Sequence, residues 1–339
     1  MPAAIRMSGV RKTFGPKVAV EGMDLEIPEG KLYGFIGPNG AGKTTSIRMI
    51  MGIIFPDSGE LDVLGKRNAV ESRDRVGYLP EERGVYKKMK VGQFLTYMGR
   101  LKGIDAGAGL RRRIDAWLER VQLADVSAKK CEELSKGMQQ KVQFVASVLH
   151  EPELLILDEP FSGLDPVNAR LLRSLIHEQH AEGRTVIFST HVMASAEQIC
   201  DHVVMIHNGR KMLDDSLASV RAGHDPRTIL FEPLDPAADL SPIDALPGVR
   251  GRATTAGVTA IDLAEDADGP AVLRAVVERV PTSRIELRRP SLEDIFIGIV
   301  SSDAATADDL VRLRAGLRDD AAQPVLAAAA AGDGMEGQD

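Results

Sequence analysis

Residues Gly37 to Thr44 read GPNGAGKT. Gly37, Gly42, Lys43 and Thr44 fill the spacing G-x-x-x-x-G-K-[ST], the pattern of a loop that cradles phosphates. The context this pattern demands is present on both sides. The apolar run LYGFI (Leu32–Ile36) leads in, and Ile47, Ile50, Met51 and Ile54 mark the buried face of a helix that leads out. Glycine is needed because backbone N–H groups must turn inward around a polyphosphate, where a Cβ would obstruct them. The helix N-terminus adds partial positive charge. In such a loop Lys43 reaches the β- and γ-phosphates and Thr44 ligates Mg²⁺. A chance glycine turn is the bland alternative, and the strand–loop–helix context speaks against it.

Working outward, the runs LLIL (Leu154–Leu157), TVIF (Thr185–Phe188) and VVMI (Val203–Ile206) are short and rich in branched residues. With LYGFI they predict buried strands of a mostly parallel sheet. Asn208–Gly209 follows the last of them and signals a hairpin. An α/β domain over residues 1–218 is expected. The pattern then changes. TILFE, VTAIDL and RIELR read as strands around one helix, AVLRAVVERV, followed by PSLEDIFIGIV. There Ser291 caps, Asp294 reaches back, and Leu292, Ile295, Phe296 and Ile299 share a face. A small α+β domain over 225–300 is expected. Residues 301–339, rich in Ala, Asp and Gly, read as a largely disordered tail with a loose helix near Leu310–Leu317.

Charge and cysteine usage narrow the classes. Forty-two basic against 49 acidic residues give a net charge of −7, which argues against a nucleic-acid partner but leaves room for a local basic patch. Cys131 and Cys200 form no ligand pattern or disulfide framework, so a reducing compartment is expected. No stretch approaches the roughly 18 apolar residues that span a bilayer, and the N-terminus lacks a signal-peptide core. Any membrane role is expected to be borrowed from another chain.

LLILDEP places Asp158 and Glu159 at the end of a buried strand, where ligands of open α/β sheets bind. Asp158 is suited to hold Mg²⁺, and Glu159 to orient or deprotonate an attacking water. A second phosphate-like element, LSKGMQQK (Leu134–Lys141), lies far from the first, with 92 residues from Lys43 to Ser135. Its serine and glycine open a helix whose face is Met138, Val142, Val145 and Leu149.

Taken in order, GPNGAGKTT, VGYLPEERG, LSKGMQQK, LLILDEP, SGLD and STH resemble the ATP-binding cassette (ABC) ATPases, over Ile5 to about Ala218. The resemblance implies a P-loop NTPase fold with a helical subdomain at about 76–134, with ATP and Mg²⁺ as cofactors. In that family two domains meet head to tail. Ser135 and Gly137 would then contact the nucleotide held by the partner's Gly37, Pro38, Asn39, Gly40, Ala41, Gly42, Lys43, Thr44 and Thr45, so a second ATP-binding subunit is implied. Asp165 would communicate across the dimer. His191 would bond the γ-phosphate with Glu159 as base, and Phe14 would stack on adenine. For Phe14, the residue pattern alone leaves an ordinary core position open.

Lys136 and Met138 depart from the family's LSGGQ, while the serine and the second glycine remain. Glu81 stands where the family usually has glutamine. An ionised carboxylate accepts or ligates but does not donate, so Glu81 reads as a metal-site residue or as a surface acid. Arg111–Arg113 reads as a solvated face. The resemblance implies a transmembrane permease partner at the cytoplasmic face of the membrane. RRPSLEDIFIGIV resembles the closing segment of drug-, sodium- or polysaccharide-type exporter ATPases. An importer ATPase, or a soluble ABC ATPase of DNA repair or translation, is the rival reading. The short spacing between the two phosphate elements leaves no room for the long coiled coil of repair members.

Overall fold

Two long strands open the chain, β1 (Ala3–Phe14) and β2 (Lys17–Pro28), and pair antiparallel. Strand β3 (Leu32–Ile36) and helix α1 (Lys43–Ile50) follow, and then β4 (Ser58–Val63) returns to the free side of β1. The result is a three-stranded sheet ordered β2-β1-β4, which the sequence reading did not anticipate. Ile5 and Met7 of β1 are buried between exposed Arg6 and Ser8, the period-2 alternation of a half-buried strand. The structure describes residues 2–67, 69–82, 84–224, 226–255 and 257–303. The predicted tail from 304 onward lies outside them.

The predicted parallel sheet forms. Strands β5 (Val76–Leu79), β6 (Leu154–Asp158), β7 (Thr185–Thr190), β8 (His202–His207) and β9 (Arg210–Ser216) join β3 in the order β5-β6-β7-β3-β8-β9. Only β8–β9 is antiparallel. Its turn is Asn208–Gly209, both at positive φ (47° and 78°), as a type I′ hairpin requires. Every residue of β3, β6 and β7 is buried, because helices cover both faces of a parallel sheet.

The intervening helices are α2 (Val91–Leu101), α3 (Ala108–Arg120), α4 (Lys136–Val148), α5 (Pro166–Ala181) and α6 (Met193–Glu197). Helix α1 is shorter than expected. Met51 is already its C-cap, and Met51 and Ile54 are only partly buried against the core, while Met49 takes a core position. On α4, Val142, Val145 and Leu149 are buried as expected, but Met138 is half-buried.

Residues Met1–Ser216 and Leu217–Ser302 form two compact units. In the second, α7 (Leu217–Ala222), β10 (Thr228–Pro233), α8 (Ser241–Asp244), β11 (Val249–Thr255), β12 (Val258–Leu263), α9 (Gly269–Arg279), β13 (Thr282–Arg288) and α10 (Leu292–Asp303) follow one another. The sheet is antiparallel, β11-β12-β10-β13. Ile229, Phe231, Ile261 and Leu263 pack with Val272 and Val276 of α9, each burial contributing about 1.5–3 kcal/mol. The expected capping of α10 is present. Asp294 N–H donates to Ser291 Oγ (3.2 Å), and Ser291 N–H donates back to the Asp294 carboxylate (2.9 Å). Ser301–Asp303 belong to this helix rather than to a disordered tail, and Val300 is buried where Ile299 is half-buried.

Candidate functional site

The phosphate-type loop joins β3 to α1, and its glycines are fixed by what surrounds them. Gly37 has φ +154°, and a Cβ there would be driven into the Ile206 carbonyl oxygen. Gly42 has φ +110°, and a Cβ would lie 2.5 Å from Ala19 O. Gly209 N–H of the β8–β9 turn donates to Ala41 O at 2.8 Å, and Glu21 N–H donates to Gly209 O at 2.9 Å. The hairpin turn therefore props the loop from behind. Lys43 is buried, and its Nζ donates to the carbonyls of Gly37 (2.7 Å) and Pro38 (3.1 Å). Those bonds hold the ammonium against the loop.

Asp158 ends β6, and Glu159 and His191 follow the neighbouring strands β6 and β7. The parallel register pairs Asp158 with Ser189, and Ser189 Oγ donates to Asp158 Oδ1. Burial pushes the Asp158 carboxyl above its ordinary value; the Ser189 hydroxyl opposes the shift, and Glu159 reinforces it. Asp158 Oδ2 is buried and has no hydrogen-bond partner among the described residues. Such an oxygen wants a ligand.

Glu159 adopts φ +47°, a left-handed conformation that costs a non-glycine residue about 1–3 kcal/mol. Its Oε1 accepts the His191 backbone N–H at 2.9 Å and lies 2.7 Å from His191 Nδ1. An ionised carboxylate only accepts, so Nδ1 is the donor in this bond. Glu81 carries a carboxyl raised first by burial and then by Asp158 and Glu159, with Lys43 and His191 opposing.

One cleft of about 250 Å³ is lined by Phe14, Asn39–Thr45, Glu81 and Glu159, together with Lys17 and Ala19. Phe14 is 51 % exposed, which rules out the core alternative. Lys12 Nζ sits 5.6 Å from the Phe14 ring and is held 2.6 Å from Asp57 Oδ1. Lys12 and Thr13 together hold the Asp57 carboxyl at about 2.

Ser135, Gly137 and Asp165 do not line this cleft. Ser135 is exposed and caps α4, its Oγ accepting from Met138 N–H (3.3 Å). Asp165 caps α5, accepting from Val167 and Asn168 N–H at 3.0 Å each. Bonds from Asn168, backbone first, hold its carboxyl below the ordinary range. Gly137 faces Leu164 and Asn168, so the two segments adjoin each other.

Three residues near the site went unread in the sequence. Lys17 lines the cleft. Gln140 and Gln143 lie buried on α4. Gln140 Nε2 donates to Pro160 O (3.2 Å) and Gln143 Nε2 to Glu82 O (3.4 Å). They tie the helix of Ser135 to the loops that follow Glu159 and Glu81. The available signal was polar residues set among the apolar ones of a buried helix.

The donors present fit Mg²⁺. That ion uses one or two carboxylates with phosphates and waters rather than an all-protein cage. Asp158 offers an unpartnered oxygen, and Thr44 sits beside the same carboxylate. Among the described residues no group of three or more His, Cys, Asp or Glu forms a self-sufficient metal cage.

A phosphate loop at a parallel strand end, facing an acid pair and a histidine on adjacent strands, defines the class: a P-loop ATPase of α/β fold. The comparisons agree. The ABC transporter family model matches residues 20–162. The model described as ATP-binding protein DrrA1-3-like, C-terminal domain, matches residues 216–300. The uncharacterized ABC transporter ATP-binding protein YhaQ of Bacillus subtilis is 39 % identical over 85 % of this chain and 95 % of its own length. The Nod factor export ATP-binding protein I of Cupriavidus metallidurans is 31 % identical over 89 % of this chain and 99 % of its own. A solved ATP-binding subunit of an ABC transporter superposes with a TM-score of 0.61 at 32 % identity, over 65 % of this chain and 92 % of that one.

The chain belongs to the ABC transporter ATP-binding proteins, in their DrrA-like branch. It is an ABC ATPase, and membership implies a membrane permease partner. No helix among the described residues is long and apolar enough to cross a membrane.

Proposed function

We propose that this chain hydrolyses ATP to drive export through a separate permease, at the cytoplasmic face of the membrane, as a head-to-tail dimer. The observation that carries the reading is the position of Ser135 and Gly137. They stand at the start of α4, outside the cleft of their own chain. A phosphate-type helix N-terminus with no nucleotide of its own is explained by a second copy that brings one. Export is favoured by the DrrA-like match over 216–300 and by the relative named for Nod factor export.

The proposed roles join the family resemblance to this geometry. Gly37 to Thr45 wrap the phosphates of ATP, Lys43 neutralises them, and Phe14 stacks on the base. Thr44 and Asp158 would hold Mg²⁺, with Glu81 beside them; the ion offsets phosphate charge when bound. Glu159 takes the proton of the attacking water, and its bond to Nδ1 orients His191 towards the γ-phosphate. Asp165, beside Gly137, carries the state of one site to the other. Residues 1–218 act as the ATPase with its helical subdomain at about 76–134, and 225–300 as the accessory domain.

Cysteines placed at Ser135 and Gly40 test the shared site, since native Cys131 and Cys200 are buried. ATP with Glu159→Gln in the background is expected to promote a cross-link between two chains. Absence of that cross-link, alone and in the permease complex, overturns the dimer. Export is tested by reconstituting the chain with its permease; ATP-dependent uptake in place of extrusion overturns that part alone.

A further inference from the structure

Among the described residues, Phe14 is the one aromatic side chain that lines the cleft. It ends β1 and pairs with Lys17 across the turn Gly15–Pro16. A ring 51 % exposed at a hairpin tip can change rotamer unless something holds it. A platform for a nucleobase has to be held before the base arrives, because ordering a side chain on binding costs affinity. Here the support comes from outside the cleft.

Lys12 lies on the same strand as Phe14 and places its Nζ over the ring, 5.6 Å from the centroid. That is within reach of cation–π attraction. Residues i and i+2 of a strand share a face, which is how the two side chains meet. Lys12 does not line the cleft, so the ammonium backs the ring from the side away from the nucleotide space. Only 16 % of the Lys12 side chain is exposed, little for a residue that is ordinarily solvated. Its charge is met by Asp57 Oδ1 at 2.6 Å. Asp57 is itself fastened to the same strand end. Its Oδ2 accepts from Thr13 N–H and Thr13 Oγ1 at 2.7 Å each, and its own N–H donates to Arg11 O at 2.8 Å. Asp57 lies between α1 and β4, and α1 begins at Lys43 of the phosphate loop. The clasp therefore ties the strand that carries Phe14 to the segment that runs on from the phosphate loop.

We propose that Lys12, fixed by Asp57, is a positioning residue for the nucleotide base: it occupies the rear face of the Phe14 ring and leaves the front face ready to stack. The proposal rests on the reading that Phe14 stacks on the base, and adds what keeps the ring in place. Lys12 acts through the ring and touches no phosphate. A cation on one face also makes the opposite face less negative, which lessens its repulsion for the π-cloud of a base. The benefit belongs only to ligands that carry a base.

The test uses the purified full chain with Mg²⁺ and a fluorescent ATP analogue, displaced either by ATP or by inorganic tripolyphosphate, which has the phosphates without the base. Lys12→Met keeps a stem of similar length and removes the charge. It should weaken ATP binding about three- to tenfold and leave tripolyphosphate binding unchanged. Lys12→Arg should restore ATP binding, since a guanidinium stacks on rings and pairs with carboxylates. On a Phe14→Ala background, Lys12→Met should cost ATP nothing further. Equal loss for ATP and tripolyphosphate would mean a general attraction for phosphate or a damaged fold, and would overturn the proposal. Unchanged ATP binding in Lys12→Met, where Phe14→Ala alone weakens it, would overturn the proposal and leave the stacking of Phe14 standing. Unchanged ATP binding in Phe14→Ala would remove both. If Lys12→Met does not fold, Asp57→Asn decides, because it keeps an oxygen for Thr13 and loosens the ammonium. The same base-selective loss is expected there, and its absence overturns the proposal.

Discussion

Glu159 Oε1 receives two bonds from one residue, the backbone N–H of His191 at 2.9 Å and its ring Nδ1 at 2.7 Å. The carboxylate and the imidazole therefore move as a unit, although 31 residues separate them in the chain.

Replacing Glu159 with Gln keeps the shape and removes the base. ATP turnover is expected to fall by roughly two to four orders of magnitude, with ATP affinity retained. Turnover and gel-filtration size with ATP check this; near-normal turnover contradicts the assignment.

Asp158 gives a prediction whose sign depends on pH. Its folded carboxyl titrates above the reference 3.8, so its contribution to stability is complete below that value and is lost as pH rises through the raised one. Asp158→Asn should then melt higher than the parent at pH 7–8 without magnesium, the gap closing towards pH 4. Magnesium and ATP should reverse the order, because a neutral amide is a poor ligand. Melting curves across pH decide it.

For Lys43→Ala, a charge aimed at the phosphates is lost. Charge-assisted bonds of about 1.5–3 kcal/mol predict roughly one to two orders of magnitude weaker ATP binding, at about 1.4 kcal/mol per tenfold. Calorimetry showing unchanged affinity would contradict the cradle.

Gly37→Ala and Gly40→Ala should separate. Both glycines have positive φ, but a Cβ at Gly40 meets nothing within 4 Å, whereas at Gly37 it meets the Ile206 carbonyl. Gly40→Ala should cost about 1–2 kcal/mol of backbone strain and keep a working loop. Gly37→Ala should melt lower still and lose ATP binding, since the loop must shift off β8. Chemical denaturation and ATP titration distinguish them.

The loop, the acid pair and the buried strands were legible because each is local. A strand, a turn and a helix start lie within a dozen residues around Lys43, and four apolar residues deliver Asp158 to a strand end. What escaped depends on distant pairing. β1 lies against β4 across more than forty residues, and its charged positions hid the alternation. The Glu159–His191 bond needs the Asp158–Ser189 register, which no periodicity reveals. The reason Gly37 must be glycine includes β8, the far edge of which is a hairpin. Gln140 and Gln143 bond the carbonyls of Pro160 and Glu82, far off in the chain, which helical periodicity does not register.

The strand order has a consequence for how such proteins diversify. β6, β7 and β3 are adjacent, so Glu159, His191 and the phosphate loop all rise from three neighbouring strand ends. The polypeptide between β5 and β6, which holds α2, α3 and α4, leaves the sheet and returns to it one strand over. That excursion carries Glu81, Ser135 and Gly137 together with its outward helices, so what the protein leans on and what completes a neighbouring nucleotide site change together.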